Sequence, residues 1–503
     1  MQRFWQQYKH TWVFLTGTLG VLLLSAILFS LKNPVALDDG LRHAMMGKLM
    51  AEEGIFAVRG WSHWFFTGYF QHHIVDPWFL SNVLYVPLAG IPVANAVDIF
   101  AVISTLLLIS AFIFCLRFFR VSPVVSALLV LVLLFGHHAF TLRLLLGRPF
   151  TIITVLTLLL LPATLHVRYF TVALLLFVLT LMSHLFVFPL AVTFIGAAIF
   201  FVQGRRGDTA KIFLSSSFGT VAGILLHPSG FEYVRYLWLV FLRIPLMHLP
   251  DRGLELYGGL GTTPTLYALA ALGFLGVAVL YRQGGRKNFS TSTIFLLALV
   301  LFFLPQFFLW VRAIDFLWPI LLLFVGVVVS HPEFLRTVRE NLIPARYASP
   351  KLFAAVTLLY CGFFALNFCA KLRLEDASHS LTPYKEALQN VPEGARVLNT
   401  SWHYFPPLVS VRPDLLYAFA FDPAFLEIDN PTSAALLRMF HEVPADLQRH
   451  IDATSFIQAL LKEHPADYVL FSRRIGQPVA DALMKAGYTN VSGHPDWTLL
   501  SVR

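Results

Sequence analysis

Cysteine is almost missing from this chain. Cys115, Cys361 and Cys369 are its three cysteines, each inside an apolar run, which excludes a disulfide framework and thiolate metal spacing and leaves them as small buried hydrophobes. Charge is scarce too: 13% of the 503 residues are Asp, Glu, Lys or Arg, against 57% hydrophobic. With a mean hydropathy of +0.70, that composition excludes an ordinary soluble globule. The chain lacks internal repeats, low-complexity tracts and heptads, and its HPSGF and YRQGGRKN stretches match neither a Walker nor a dinucleotide fingerprint. A formal charge of +9 in so apolar a chain is explained by basic residues holding cytoplasmic loops in place, not by nucleic acid.

What the chain does have is long apolar runs. A membrane-spanning helix needs roughly 20 apolar residues. Runs near 11–31, 93–115, 122–140, 149–166, 169–184, 186–203, 211–227, 260–281, 290–310, 315–330 and 351–370 predict about eleven spans. The first run lacks a small-residue cleavage site and is expected to be retained. Ser183, His184 and Pro189 interrupt residues 169–203, which leaves one long kinked helix as an alternative there. With Arg3 and Lys9 cytoplasmic, Arg117/Arg120, Arg168, Arg205/Arg206/Lys211, Arg282/Arg286/Lys287 and Arg336/Arg339/Arg346/Lys351 all fall on one side. The expected topology is therefore N-terminus inside and C-terminus outside. The architecture is an α-helical polytopic membrane domain over 1–370, with a long first outer loop at 32–92 and a second at 228–259. A small exported α/β domain follows over 371–503. There VPEGARVLNTS, ADYVLFS and WTLLSVR read as strands, and SFIQALLKEH and PVADALMKAGY as helices.

Titratable groups crowd the first outer loop. LDDGLRHAMMGKLMAEEG predicts a short amphipathic helix lying in the membrane interface, with Asp38 and Asp39 at its start. An acid pair before a helix is equally well an N-cap. The same loop adds His43, His63, His72, His73 and Asp76, a density that an interfacial aromatic belt does not require. A second feature is a set of arginines at outer span ends: Arg143, Arg148, Arg235, Arg243, Arg252 and Arg312. A cation near hydrocarbon is costly unless paired or snorkelling. Pairing with Asp315, Asp251 or Glu232 is the structural explanation; an anionic ligand, whose phosphate oxygens match arginine forks, is the functional one. Asn399 and Asn490 stand in glycosylation-acceptor patterns, which are common by chance.

LDDGLRH after the first span, VDPWFLSNVLYVPL, GRPF opening a span, LHPSGFEYVRYLW and the tail stretch LLYAFAFDPAFLEIDNP together resemble the GT-C superfamily of polytopic glycosyltransferases, which use polyprenyl-phosphate-linked sugars. The resemblance covers most of the chain, and its bacterial members imply a multi-pass protein of the inner membrane. It implies an inverting transfer on the outer face, from a polyprenyl-phosphate-linked sugar to a glycan, lipid or protein acceptor. By carry-over, Asp38 or Asp39 is the base that deprotonates the acceptor, and Asp76 a second acid supporting it or a divalent metal. Arg148 and Arg312, with Arg143, hold the lipid phosphate, and His43, His72 and His73 support the site. No other cofactor is implied. The WWDxG motif of the oligosaccharyltransferase branch is not in the tail, which argues against asparagine as acceptor. The competing readings are a transporter or flippase for a lipid-linked substrate and a non-enzymatic envelope assembly factor. A transporter predicts midplane acids or a twofold repeat of spans, and neither is in the sequence.

Overall fold

In a computed structural model the described residues are 38–58, 60–244, 264–309, 311–337, 381–419, 423–442, 453–472, 483–485, 487–493 and 497–502, with 19, 20, 359 and 362. The spans expected at 11–31 and 351–370 lie outside them but for those four residues, as do Arg3, Lys9, Asp251 and Arg252. Helix α1 is Asp39–Glu53. It is followed by α2 (Val93–Phe118), α3 (Pro123–Phe135), α4 (His138–Leu145), α5 (Phe150–Leu165), α6 (Tyr169–Met182), α7 (Val187–Val202) and α8 (Arg206–Leu225). After α9 (Phe231–Trp238) come α10 (Pro264–Gly284), α11 (Thr291–Leu309) and α12 (Ile314–Val329). Every apolar run within the described residues is thus helical. Among the described residues, four segments are long and apolar enough to cross a membrane: α2, α7 with its leading turn from His184, α10, and Thr291–Phe308 of α11. The 122–140 run is instead a bent pair, with α3 and α4 meeting at 74°. Residues 169–203 form two helices, α6 and α7, separated at Ser183 where the backbone is extended. The protein is a multi-pass membrane protein.

The chain divides into two compact units. One comprises Met1–Val35, Val97–Leu226 and Glu255–Ser378; the other comprises Ala36–Ala96, His227–Leu254 and His379–Arg503. The first is the helical unit, and its centre is α12, where every residue from Ile314 to Gly326 is buried.

The second unit gathers both long loops around the C-terminal α/β domain, whereas the sequence grouped those loops with the spans. Strands β1 (Arg396–Asn399), β2 (Leu416–Tyr417), β3 (Tyr468–Ser472), β4 (Thr489–Gly493) and β5 (Trp497–Ser501) form one sheet of order β2-β1-β3-β5-β4. β1 pairs in parallel with β2 and β3, while β5 runs antiparallel to β3 and β4. The three strands expected from sequence are β1, β3 and β5, and the helix expected at 455–464 is Ala453–Glu463. Only part of the 478–488 helix is described. Leu398, Val469, Leu460 and Leu500 pack as the core of this domain.

The first loop is joined to the domain by backbone and side chain. Phe65 bridges to Tyr417, Trp64 Nε1 donates to the Pro413 carbonyl at 3.1 Å, and Thr67 Oγ1 lies 2.7 Å from His464 Nδ1. α1 is therefore not the interfacial helix the sequence predicts. Gly40 to Gly47, Leu49 and Met50 are buried on all sides of it, because the loop aromatics that suggested a membrane belt pack inward: Trp61 and Trp64 are both fully buried. Gly47 permits that packing, since a Cβ there would lie 2.4 Å from Tyr85 Cβ.

Candidate active site

Within the second unit, α1 fixes the acid pair. Asp38 is the N-cap, in extended backbone, and its side chain makes no capping hydrogen bond. Capping is thus done by backbone alone, with Leu41 N–H donating to the Asp38 carbonyl at 2.9 Å. Asp39, one residue later, is gripped by Arg42: Nε donates to Oδ1 at 2.8 Å and Nη2 to Oδ2 at 3.0 Å. The guanidinium is itself boxed by rings, 4.4 Å from the Trp78 centroid and 5.2 Å from that of Trp61. A charge-assisted bidentate fork combined with ring contacts holds Asp39 in one orientation.

Beneath this pair lies a buried polar network. Asp76, 1% exposed, accepts from Trp61 Nε1 and Trp78 N at 3.1 Å each and from Asn82 Nδ2 at 2.7 Å. Because the Asn82 amide donates to Asp76, its oxygen faces His43, whose Nδ1 lies 2.6 Å away and donates. Burial pushes the Asp76 carboxyl up to about 6, against the pull of those hydrogen bonds and of Arg42. The second loop closes the network: Asp76 N–H donates to Ser229 Oγ at 3.0 Å, and Ser229 N–H to His227 Nδ1 at 3.2 Å. Burial pushes His227 down to about 3, so it acts as a neutral acceptor stacked on Tyr233 at 3.8 Å.

The remaining loop histidines diverge. His43 is buried in the network, His72 is exposed, and His73 lies 3.0 Å from Glu232 Oε2 while tilted against Tyr69 at 4.4 Å. Among the described residues no group of three His, Cys, Asp or Glu side chains comes together to hold a metal ion. Asp76 is held by three N–H donors. The sequence reading gave no site role to Arg42, Trp61, Trp78, Asn82 or Ser229. Of these only Arg42, three residues after Asp39 on a helix, carried a local signal.

The helical unit carries Arg143, Arg148 and Arg312. Arg143, in the last turn of α4, donates through Nε to Asp315 Oδ1 at 2.7 Å, and both residues are buried. This is the pairing that sequence offered as the structural explanation for an arginine, and it places a cation at one helix C-terminus and an anion at another's N-terminus. Two guanidinium groups lie over Phe150, with Arg143 Cζ at 5.1 Å and Arg312 Cζ at 5.2 Å from its centroid. Arg148 is buried two residues before that ring, after Gly147 turns the chain with φ of 61°. Three cations and one carboxylate thus surround the start of α5. Arg235 and Arg243 belong to the other unit; Arg235 Nη1 lies 3.4 Å from His73, and Arg243 is exposed. Asn399 is buried, its amide donating to the Ser401 and Phe419 carbonyls while its oxygen accepts from Ala418 and Phe419 N–H. That asparagine is a structural bracket closed to modification, and Asn490 is exposed.

Compared by sequence, the chain matches no protein-family model and no curated protein. Compared by structure, it superposes on ArnT from Cupriavidus metallidurans bound to undecaprenyl phosphate with a TM-score of 0.58 at 13% identity, covering 98% of each chain. The chain has the GT-C fold. The Archaeoglobus fulgidus oligosaccharyltransferase, tethered to an acceptor peptide containing the NVT sequon, gives a TM-score of 0.57 at 11% identity over 97% of this chain and 73% of that one. The mycobacterial arabinofuranosyltransferase AftD gives 0.54 at 15% identity over 98% of this chain and 40% of its own. The shared fold therefore covers nearly the whole of the present chain. At these identities the likeness concerns fold, and function is argued from the residues.

Proposed function

We propose that this protein is an inverting membrane glycosyltransferase that moves a sugar from a polyprenyl-phosphate-linked donor to an acceptor on the non-cytoplasmic face. The observation that carries the reading is the acid pair at the head of a buried helix in a GT-C fold, with one acid locked by Arg42. Asp39 has both oxygens engaged by one guanidinium, and we assign the role of base to its neighbour Asp38 at the helix N-cap. Asp38 takes the proton of an acceptor hydroxyl as its oxygen attacks the anomeric carbon. The bond from that carbon to the phosphate oxygen breaks, and the electron pair leaves with the polyprenyl phosphate. Arg148 and Arg312 of the helical unit are the candidates for holding the donor's phosphate, which is the usual function of preorganised cations in phosphate-leaving chemistry. Arg143, held by Asp315, braces Phe150 and through it Arg312. Asp76, His43 and Asn82 set the pose of α1. A structure of ArnT with undecaprenyl phosphate and one of the archaeal oligosaccharyltransferase AglB with a dolichol-phosphate support a lipid phosphate as the donor class.

The test is release of undecaprenyl phosphate from undecaprenyl-phosphate-linked sugars in proteoliposomes, by parent and Asp38→Asn protein. Sugar transfer by the parent and its loss in the variant are expected. Movement of intact lipid-linked sugar between leaflets without release of the lipid phosphate would favour the transporter reading.

A further inference from the structure

A cleft that takes no part in the proposed chemistry runs between α6 and α8. The two helices pack with almost no side chain between them at two points. A Cβ on Gly219 would lie 2.2 Å from the Ala173 carbonyl oxygen, and one on Gly223 would lie 2.6 Å from Thr180 Cβ. The contact order, 173 with 219 and 180 with 223, shows that the helices run parallel. Small residues at the crossing leave a furrow of about 670 Å³. Its lining includes Ala173, Gly219 and Ala222, which are buried or half-buried, and Phe170, Leu174 and Phe218, which stand exposed beside them.

One end of the furrow is different. Tyr169 and Phe170 also line an adjoining cleft of about 600 Å³, whose other residues include His166, Arg168 and Arg205, while Lys211 lines the furrow itself. Arg168 and Lys211 are exposed; Arg205 is paired with Asp208 at 2.7 Å. Arg168 and Arg205 are also the N-caps of α6 and α8. Parallel packing therefore brings the positive ends of two helix dipoles to the same place as the cations. An apolar trough with cations at one mouth has the form of a phospholipid: acyl chain along the helices and phosphate at the basic end. Basic pockets between membrane helices on the cytoplasmic side bind anionic headgroups, and this mouth lies where the positive-inside bias puts the cytoplasm. Simple snorkelling of Arg168 and Lys211 accounts for their charge, but it does not account for a furrow leading away from them.

We infer that the α6–α8 furrow is a binding site for an anionic phospholipid, with its phosphate held by Arg168 and Lys211 and one acyl chain seated over Ala173, Gly219 and Ala222. The site is independent of the proposed glycosyl transfer.

Native mass spectrometry of the full-length protein in mixed micelles with equal phosphatidylglycerol and phosphatidylcholine tests this. The parent is expected to retain phosphatidylglycerol in several-fold preference. Each cation is worth roughly fivefold near a membrane surface, so an Arg168→Gln/Lys211→Gln double variant should bring the ratio close to one. Ala222→Trp, which fills the trough, should reduce retention of both lipids. Inorganic phosphate in excess should leave the ratio unchanged, because it lacks the chain that the furrow holds. Equal retention of both lipids by the parent, persistence of the preference in the double variant, or displacement by phosphate would each overturn the inference. The parent's own ratio decides the matter even where a variant does not fold.

Discussion

Asp39 and Arg42 face each other across one turn of α1 through two hydrogen bonds of 2.8 and 3.0 Å, and the same guanidinium lies 4.4 Å from the ring of Trp78. This separates two adjacent carboxylates that are chemically identical in sequence. Asp39 is held by Arg42, and Asp38 is the N-cap of the helix.

Asp38→Asn should lower transfer by about a hundredfold or more, the usual contribution of a positioned base, while leaving the melting temperature close to the parent's. Asp39→Asn should lower both, because it strips the charged partner from a buried arginine. Steady-state turnover and a thermal melt on the same samples check the split. Loss of stability in Asp38→Asn with full activity would reverse the two roles.

Arg42→Lys retains the charge but loses the fork and the planar ring contacts. It should behave like Asp39→Asn, with a lower melting temperature and impaired transfer. The double variant Arg42→Lys/Asp39→Asn should cost less than the sum of the two single changes, since contacting residues are not additive. A double-mutant cycle on thermal stability measures this coupling.

Asp76 gives a pH dependence of definite sign. Its pKa rises from 3.8 to about 6 on folding, so the folded protein holds the proton more tightly than the unfolded chain. The contribution of this group to stability is greatest below pH 3.8 and declines as pH rises through about 6. Asp76→Asn abolishes that titration, and melting temperature plotted against pH should be less downward-sloping over this window than for the parent. The variant also turns an amide donor toward the Asn82 donor, so it should be less stable at every pH. Parallel curves for the two proteins would show that Asp76 does not titrate there.

Arg143 and Asp315 form a buried pair, and breaking such a pair from one side costs about 3–5 kcal/mol. Arg143→Ala is expected to destabilise the protein by that order, and Arg143→Leu/Asp315→Leu by less. Arg148→Lys and Arg312→Lys should instead weaken binding of a polyprenyl-phosphate donor with small effects on stability, because bidentate geometry is lost while charge remains. Equilibrium binding of undecaprenyl phosphate, read beside the melts, distinguishes bracing from ligand contact. Unchanged binding in both lysine variants would make these arginines anchors only.

How much of this was legible in the chain depends on the range of each interaction. Apolar runs dictate helices locally, because a backbone in hydrocarbon must satisfy its own hydrogen bonds; α2, α5 and α10 to α12 follow from composition. β1, β3 and β5 are likewise visible as short apolar strands. β4, TNVSG, carries no such pattern and exists because β5 pairs with it, and β2 is two residues held between neighbours. The acid pair and its i,i+3 arginine belong to one helical turn and can be read directly.

Partnerships across the chain cannot be read in that way. The sequence separations of 172 between Arg143 and Asp315 and of 153 between Asp76 and Ser229 are spanned only when the helices and loops pack. The same packing turns Trp61 and Trp64 from plausible interfacial anchors into core, and Asn399 from an acceptor pattern into a bracket. Sequence by itself determined which segments are apolar, and so which become helices and where cations gather at their ends. Tertiary structure decided which polar groups are buried together, because burial makes an unmatched polar atom costly and so selects partners by position in space.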